Sequence, residues 1–207
     1  MIKRLIDMAG AAALLFAGAL PLALIALAVK LTSKGPVLYW SDRVGRDNRL
    51  FPMPKFRTMR TDTPEVASHL LQDPKAWLTP IGNVLRRTSL DELPQLWSIL
   101  RGDMSFVGPR PALHNQHDLV ALRTAAGVHR LVPGLTGWAQ INGRDESPIP
   151  EKVAFDTEYR RRQSLAFDVQ IVFVTAWKVL RREGTVVPSH VAGRIVPSAN
   201  EPERKAA

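Results

Sequence analysis

Between Met8 and Val29 no residue carries a charge, and Leu, Ala, Ile and Val fill most of the run. A helix needs roughly 20 such residues to cross a bilayer. Downstream the apolar pattern breaks into short pieces. Val37–Trp40 and Phe51–Met59 read as two strands, and Pro52 and Pro54 confine the second to a sheet edge or a hairpin. Residues 61–79 are polar, with a loose helix around 65–72. Leu93, Leu96, Trp97 and Leu100 recur at i, i+3, i+4 and i+7, which predicts a helix over 90–100 ending before Gly102. Further helices are predicted over 113–126, stopped by Gly127, and over 150–163 and 168–182. Pro133-Gly134 and Asn142-Gly143 mark loops. From Glu183 onward Pro, Ser and charge without periodicity predict a disordered tail. The expected class is α+β, mainly α with a small β-hairpin. It divides into a membrane element over 1–34, a globular domain over 35–185 and a tail over 186–207.

The apolar run admits three arrangements. A straight transmembrane helix satisfies its length. A cleaved signal peptide satisfies Lys3, Arg4 and the Ala26-Leu27-Ala28 sequence. The third is a re-entrant helix that breaks at Pro21 and returns to the face it entered from. Pro21 deletes a helical hydrogen bond and predicts a kink. Lys3 and Arg4 precede the run, while Lys30, Lys34, Arg43 and Arg46 follow it, so a straight span would set one basic cluster on the wrong side. Re-entry places both on one side, and leaves Asp7 near the interface, within helical reach of Arg4. Re-entry is the arrangement expected.

Charge then narrows the partner. The 207 residues carry a net +9, so the partner is anionic: nucleic acid, acidic lipid or nucleotide phosphate. The chain has no cysteine, which removes disulfides, thiolate nucleophiles and Cys-ligated zinc. No Walker A loop or Gly-x-Gly-x-x-Gly is present, which argues against P-loop and Rossmann nucleotide binding, and with no nucleic-acid motif a nucleic-acid partner is not expected. His114-x-x-His117 lacks a third ligand and reads as structural. Phe106, Trp138 and Phe155 read as core.

The densest chemistry is Ser89-Leu90-Asp91-Glu92-Leu93-Pro94-Gln95-Leu96. Adjacent carboxylates repel and need a cation or a shared proton to stay together. One reading is structural: Ser89-x-x-Glu92 has the spacing of a helix capping box. The other starts from Lys55, Arg57, Arg60, Arg86, Arg87, Arg101, Arg110 and Arg144, each in or beside a Pro/Gly-rich segment. Arginine forks match phosphate oxygens. Around an Asp-Glu pair they suggest a diphosphate site in which Asp91 and Glu92 hold Mg²⁺.

Several long motifs carry a resemblance. They are Lys3-Arg4-Leu5-Ile6-Asp7, Lys55-Phe56-Arg57-Thr58-Met59, and Leu85-Arg86-Arg87-Thr88-Ser89 running into the Asp-Glu pair. Gly102-Asp103-Met104-Ser105-Phe106-Val107-Gly108-Pro109-Arg110-Pro111 and Pro133-Gly134-Leu135-Thr136-Gly137-Trp138-Ala139-Gln140-Ile141-Asn142-Gly143-Arg144 complete the set. Over about 1–185 the chain resembles the bacterial sugar transferases, the monotopic polyprenyl-phosphate phosphoglycosyl transferases, in their minimal catalytic unit. The resemblance implies a helix-break-helix membrane element, an aspartate nucleophile at Asp91 with Glu92 beside it, Mg²⁺, a UDP-sugar donor and a polyprenyl-phosphate acceptor. Its implied substrate-binding set is Lys55, Arg57, Arg86, Arg87, Arg110, Gln140, Asn142 and Arg144. It also implies a bacterial cytoplasmic membrane of anionic phospholipid, with the catalytic domain on the cytoplasmic face. An N-acetylated hexose is the suggested sugar, and a homodimer is left open. Two positions depart from the family pattern: Leu20 precedes Pro21 where serine is common, and Pro54 precedes Lys55 where an aromatic is common. Readings from other classes are a secreted basic binding protein and a membrane-tethered nucleic-acid binder.

Overall fold

A computed structural model describes residues 1–64, 71, 73–143 and 147–181. The helix expected around 65–72 (residue 71 apart), Arg144 and the tail over 186–207 lie outside the described residues.

The apolar run forms two helices, α1 (Ile2–Ala17) and α2 (Ala19–Thr32), bent by 64°. The break falls at Gly18, one turn before the expected Pro21. The reason is the geometry of proline: its missing N–H leaves the carbonyl four residues earlier, at Ala17, without a partner, so the axis bends upstream of the ring. Gly18 N–H still donates to Leu14 O, and Leu22 N–H to Gly18 O (2.8 Å each). Among the described residues no single helix is long and apolar enough to cross a membrane; the bent pair together could, by length and composition only.

Strands β1 (Leu38–Val44) and β2 (Leu50–Phe56) form the expected hairpin, with Trp40 opposite Pro54 and Asp42 opposite Pro52. Asp47 and Asn48 take the left-handed backbone that tightens the turn, a conformation these residues tolerate. Both prolines sit on β2, an outer strand of a three-stranded sheet in which Ala112–Leu113 pairs on the other side of β1, and there a missing N–H removes no ladder bond. The chain continues through α3 (Gly82–Arg87), a single 3₁₀ turn at Leu90–Glu92, α4 (Gln95–Arg101), β3 (Ser105–Val107), β4 (Ala112–Leu113) and α5 (His117–Ala125). After β5 (Gly134–Thr136) come α6 (Trp138–Asn142), α7 (Ile149–Arg162) and α8 (Leu165–Arg181). The predicted helix over 113–126 begins at His117, because Ala112–Leu113 pairs with β1. Pro133-Gly134, read as a loop, leads into β5, which lies parallel to β3.

Three small cores hold these pieces. Ala11 of α1 packs with Phe51, Met53, Leu96, Ile99 and Met104. Val107, Ile141, Tyr159, Phe167 and Ile171 join β3 to α6, α7 and α8. Val29 of α2 packs with Phe56 and Leu85, and Leu90 lies against the same cluster. The first 32 residues therefore contribute to two of the three cores and reach the turn that carries the acidic pair.

Candidate active site

α3 ends at Arg87, and Ser89 reverses the chain with a left-handed backbone (φ 56°) before the Leu90–Glu92 turn. That conformation explains why the capping box does not form. An N-cap residue needs extended dihedrals to aim its side chain at the first turn, and here Ser89 makes no side-chain cap bond. Left-handed backbone at a non-glycine residue is uncommon and clusters at functional sites. Pro94 then starts α4, so the predicted 90–100 helix begins at Gln95, and Trp97 stands 52% exposed instead of joining the core.

The turn sends the two carboxylates to different fates. Glu92 Oε1 accepts from Lys55 Nζ at 2.7 Å and from Arg110 Nη2 at 2.8 Å. Burial alone would raise its carboxyl, but the Arg110 and Lys55 charges and hydrogen bonds hold it far below the usual carboxylate range. Asp91 is buried, 8% exposed, and accepts no hydrogen bond among the described residues. Burial pushes its carboxyl up, and Glu92 adds to that, against the pull of Lys55, Arg86 and Arg110. Arg86 donates its Nε to Thr58 Oγ1 at 3.0 Å, and burial weakens its hold on its proton. Burial likewise lowers Lys55, against the pull of Glu92. Three cations thus face two carboxylates, one of them free of hydrogen bonds among the described residues, in a site biased toward an anion.

Lys55, Arg86 and Arg110 are brought to Asp91 and Glu92 from β2, α3 and the loop after β3. Other expected binding residues are not. Arg57, buried, donates to Pro36 O (2.6 Å) and to Ser33 O and Oγ (3.0 and 2.9 Å). It lies one residue past β2 and ties the end of that strand to the end of α2, so its guanidinium is occupied by scaffold. Arg87 is exposed on α3, and exposed Asn142 donates to Trp138 O of its own helix. Gln140 buries both amide atoms beside Gly137 and the Gly108 carbonyl, with no partner among the described residues.

Sequence reading missed the residues that support the site. Thr58 receives Arg86. Arg123 Nη1 donates to Arg110 O (2.7 Å), while Arg123 Nε reaches Asp156 Oδ2 (2.8 Å), which is 1% exposed. Arg123 and Asp156 sit on separate helices 33 positions apart, and no local pattern pairs them.

Among the described residues no group of three His, Cys, Asp or Glu side chains could hold a metal, and His114-x-x-His117 belongs to no such group. The donor set suits Mg²⁺ in one way: one or two carboxylates, with phosphate and water oxygens completing the shell. Asp91 and the second oxygen of Glu92 are the candidates.

The comparisons agree with the motifs. A family model for the bacterial sugar transferases matches residues 1–182. The UDP-glucose:undecaprenyl-phosphate glucose-1-phosphate transferase of Escherichia coli (strain K12) is 44% identical over 187 residues, covering 86% of this chain and 40% of that protein. The undecaprenyl-phosphate galactose phosphotransferase of Salmonella typhimurium is 40% identical over 168 residues, 72% of this chain and 34% of its own length. The uncharacterized sugar transferase EpsL of Bacillus subtilis (strain 168) is 38% identical over 191 residues, 92% of this chain and 93% of its own. The chain spans 40% or less of the length of the glucose-transferring relatives from Escherichia coli, Komagataeibacter xylinus and Xanthomonas campestris. With its motifs matched from the first helix to the last, this chain belongs to the bacterial sugar transferase family.

Proposed function

We propose that this protein is a phosphoglycosyl transferase. It moves a phosphosugar from a UDP-sugar to polyprenyl (undecaprenyl) phosphate, the first membrane step in building a glycoconjugate. The observation that carries this reading is Asp91: a buried carboxylate with no hydrogen-bond partner among the described residues, beside three cations, one residue from a leucine packed on α2.

An Asp91 oxygen attacks the β-phosphorus of the UDP-sugar. The bond from that phosphorus to the bridging oxygen breaks, and UMP leaves with the oxygen. The phosphosugar is then a mixed anhydride on Asp91, reactive enough for a weak nucleophile. An oxygen of polyprenyl phosphate attacks the same phosphorus, the aspartate is released, and polyprenyl-diphosphate-sugar forms. Arg86 and Arg110 hold non-bridging oxygens; Lys55 keeps Glu92 ionised and adds positive charge. Positioning and charge supply most of the catalysis in such transfers. Mg²⁺, held by Asp91 and Glu92 together with the diphosphate, would neutralise charge on the leaving group. Because Glu92 already has two cationic partners, Mg²⁺ should bind the free protein weakly and the donor-loaded protein well.

A bilayer seat is supported by exposed apolar surface. Phe16 (88% exposed) and Leu20 (70%) mark the apex of the α1–α2 bend. Leu165, Val169, Val172, Phe173 and Leu180 form an exposed stripe along α8, which joins α1 through Lys3 and Asp168 (2.6 Å). Both ends of the bent pair are tied to the same body, by Lys3 at one end and by Ser33 with Arg57 at the other. This favours re-entry from the cytoplasmic face, with the acceptor phosphate delivered at the interface. Cysteines placed at Lys3 and Lys34 should both be labelled only from the cytoplasm. Labelling from opposite sides would replace re-entry by a span; loss of the first label would indicate a cleaved leader.

Relatives that transfer glucose and galactose favour one of these sugars over the N-acetylated hexose suggested by the sequence resemblance. A screen of UDP-glucose, UDP-galactose and UDP-N-acetylhexoses with polyprenyl phosphate and Mg²⁺ tests the reading. UMP release is expected with one donor, with a burst before acceptor is added and ping-pong kinetics. Oligonucleotide binding with no UMP release would support the nucleic-acid binder instead.

A further inference from the structure

We infer that Asp7 and Arg4, in the first two turns of the membrane helix, are positioning residues that hold Arg110 against Glu92. This rests on the catalytic reading of the site above.

Two arms meet at the site. One is α4, whose N-terminal side carries the Asp91-Glu92 turn. The other is β3, which runs through Gly108-Pro109 to Arg110. They are consecutive in the chain, joined at Gly102-Asp103-Met104, and their far ends touch through the 2.8 Å contact of Arg110 with Glu92. The joined end of both arms is held by α1. Arg4 donates Nη1 to Ile99 O, which also accepts from the Gly102 N–H, and Nη2 to Leu100 O (2.7 Å), both at the C-terminal end of α4. Asp7, 5% exposed, accepts from Ser105 Oγ at 2.8 Å and from the Phe106 N–H at 3.2 Å, at the start of β3. Arg4 and Asp7 are therefore not paired with each other, as helical spacing predicts, but each grips one arm.

The fit leaves little slack. Gly102 has φ 99°, and a Cβ there would sit 3.3 Å from Arg4 Nη2. A Cβ on Gly10 would come within 2.9 Å of the Phe106 ring. Only Val107 separates the Asp7 contacts at Ser105 and Phe106 from Gly108, and Gly108 N–H and Pro109 O are themselves fixed to β5 by bonds to Thr136 O and Gly134 N–H (2.9 Å each). A shift of β3 against α4 has nowhere to dissipate before Arg110. Misplacement of a binding group by about 1 Å costs on the order of a hundredfold in rate.

The test is a double-mutant cycle on full-length protein in detergent or nanodiscs, read as kcat and KM for the UDP-sugar. Asp7→Asn keeps the shape but removes the charge that accepts both donors. It should lower kcat about tenfold while the protein stays in the membrane fraction. Arg110→Lys should lower it at least as much. If Asp7 acts through Arg110, the double variant is no slower than Arg110→Lys alone, within about twofold. Multiplicative losses would overturn the inference. Should Asp7→Asn fail to fold, Ser105→Ala removes one of the two bonds and runs the same cycle. Its expected effect is a fall of about threefold in kcat at unchanged melting temperature, and wild-type turnover would overturn the inference too. Absence of UMP release by the unsubstituted protein would sink the transferase reading instead, so the two failures are distinguishable.

Discussion

Asp91→Asn should abolish turnover and leave the protein at least as stable as before. The amide keeps the shape of the side chain but cannot form the mixed anhydride, so a fall of about a thousandfold or more is expected. Intact-protein mass spectrometry with donor alone should lose the phosphosugar adduct that unsubstituted protein gives. The stability half follows from the direction of the shift. Burial raises the Asp91 carboxyl above its ordinary value, so ionising it disfavours the folded state, and a neutral side chain removes that penalty. An equal or higher melting temperature is the expected result. Wild-type turnover would show that another group is the nucleophile; a large loss of stability would show that Asp91 is an anchor.

Glu92→Gln should do the opposite to stability. The glutamate is the shared acceptor of Lys55 and Arg110. Replacing it leaves two cations close together without their anion, a change that costs about 3 kcal/mol in buried ion pairs. A capping-box role would have cost only about 1 kcal/mol. The loss should depend on pH. Burial holds Lys55 below its ordinary value, and removing Glu92 deprives it of the largest charge opposing that shift. Between the folded and unfolded lysine values the unfolded chain binds more protons, so stability rises with pH. The deficit of Glu92→Gln relative to unsubstituted protein should therefore shrink from pH 7 toward pH 10. Adding Lys55→Met should recover part of it at pH 7. Denaturation series at the two pH values check both statements, and a deficit independent of pH would remove Lys55 from the account.

How much of this was legible beforehand varies by residue. The bend between α1 and α2 follows from Pro21, although the axis breaks at Gly18, because proline acts on the preceding turn. The edge position of β2 follows from Pro52 and Pro54. The adjacency of Asp91 and Glu92 is covalent, and the surplus of arginine around them is a matter of counting. Roles within the cation set were not legible. Lys55 and Arg57 stand two residues apart in one motif, yet Lys55 meets Glu92 while Arg57 is used by Pro36 and Ser33. The strand ends between them, and nothing in the sequence marks whether a cation beyond a strand end meets solvent, substrate or backbone.

Local chemistry, then, was set by sequence alone: the apolar run and its proline, the proline-marked strand, the acidic pair, the basic excess and the motifs of the family. Those features depend on neighbours within about four residues, or on composition, and survive in any register. Tertiary structure decided the rest. It gave Glu92 two cations from distant segments and left Asp91 without a hydrogen-bond partner among the described residues. It also closed the gap between residue 7 and residues 105 and 106, so that α1 grips the strand leading to Arg110. Such pairings depend on burial and on which backbone groups lack partners after the chain has packed, quantities that exist only once distant segments share a core.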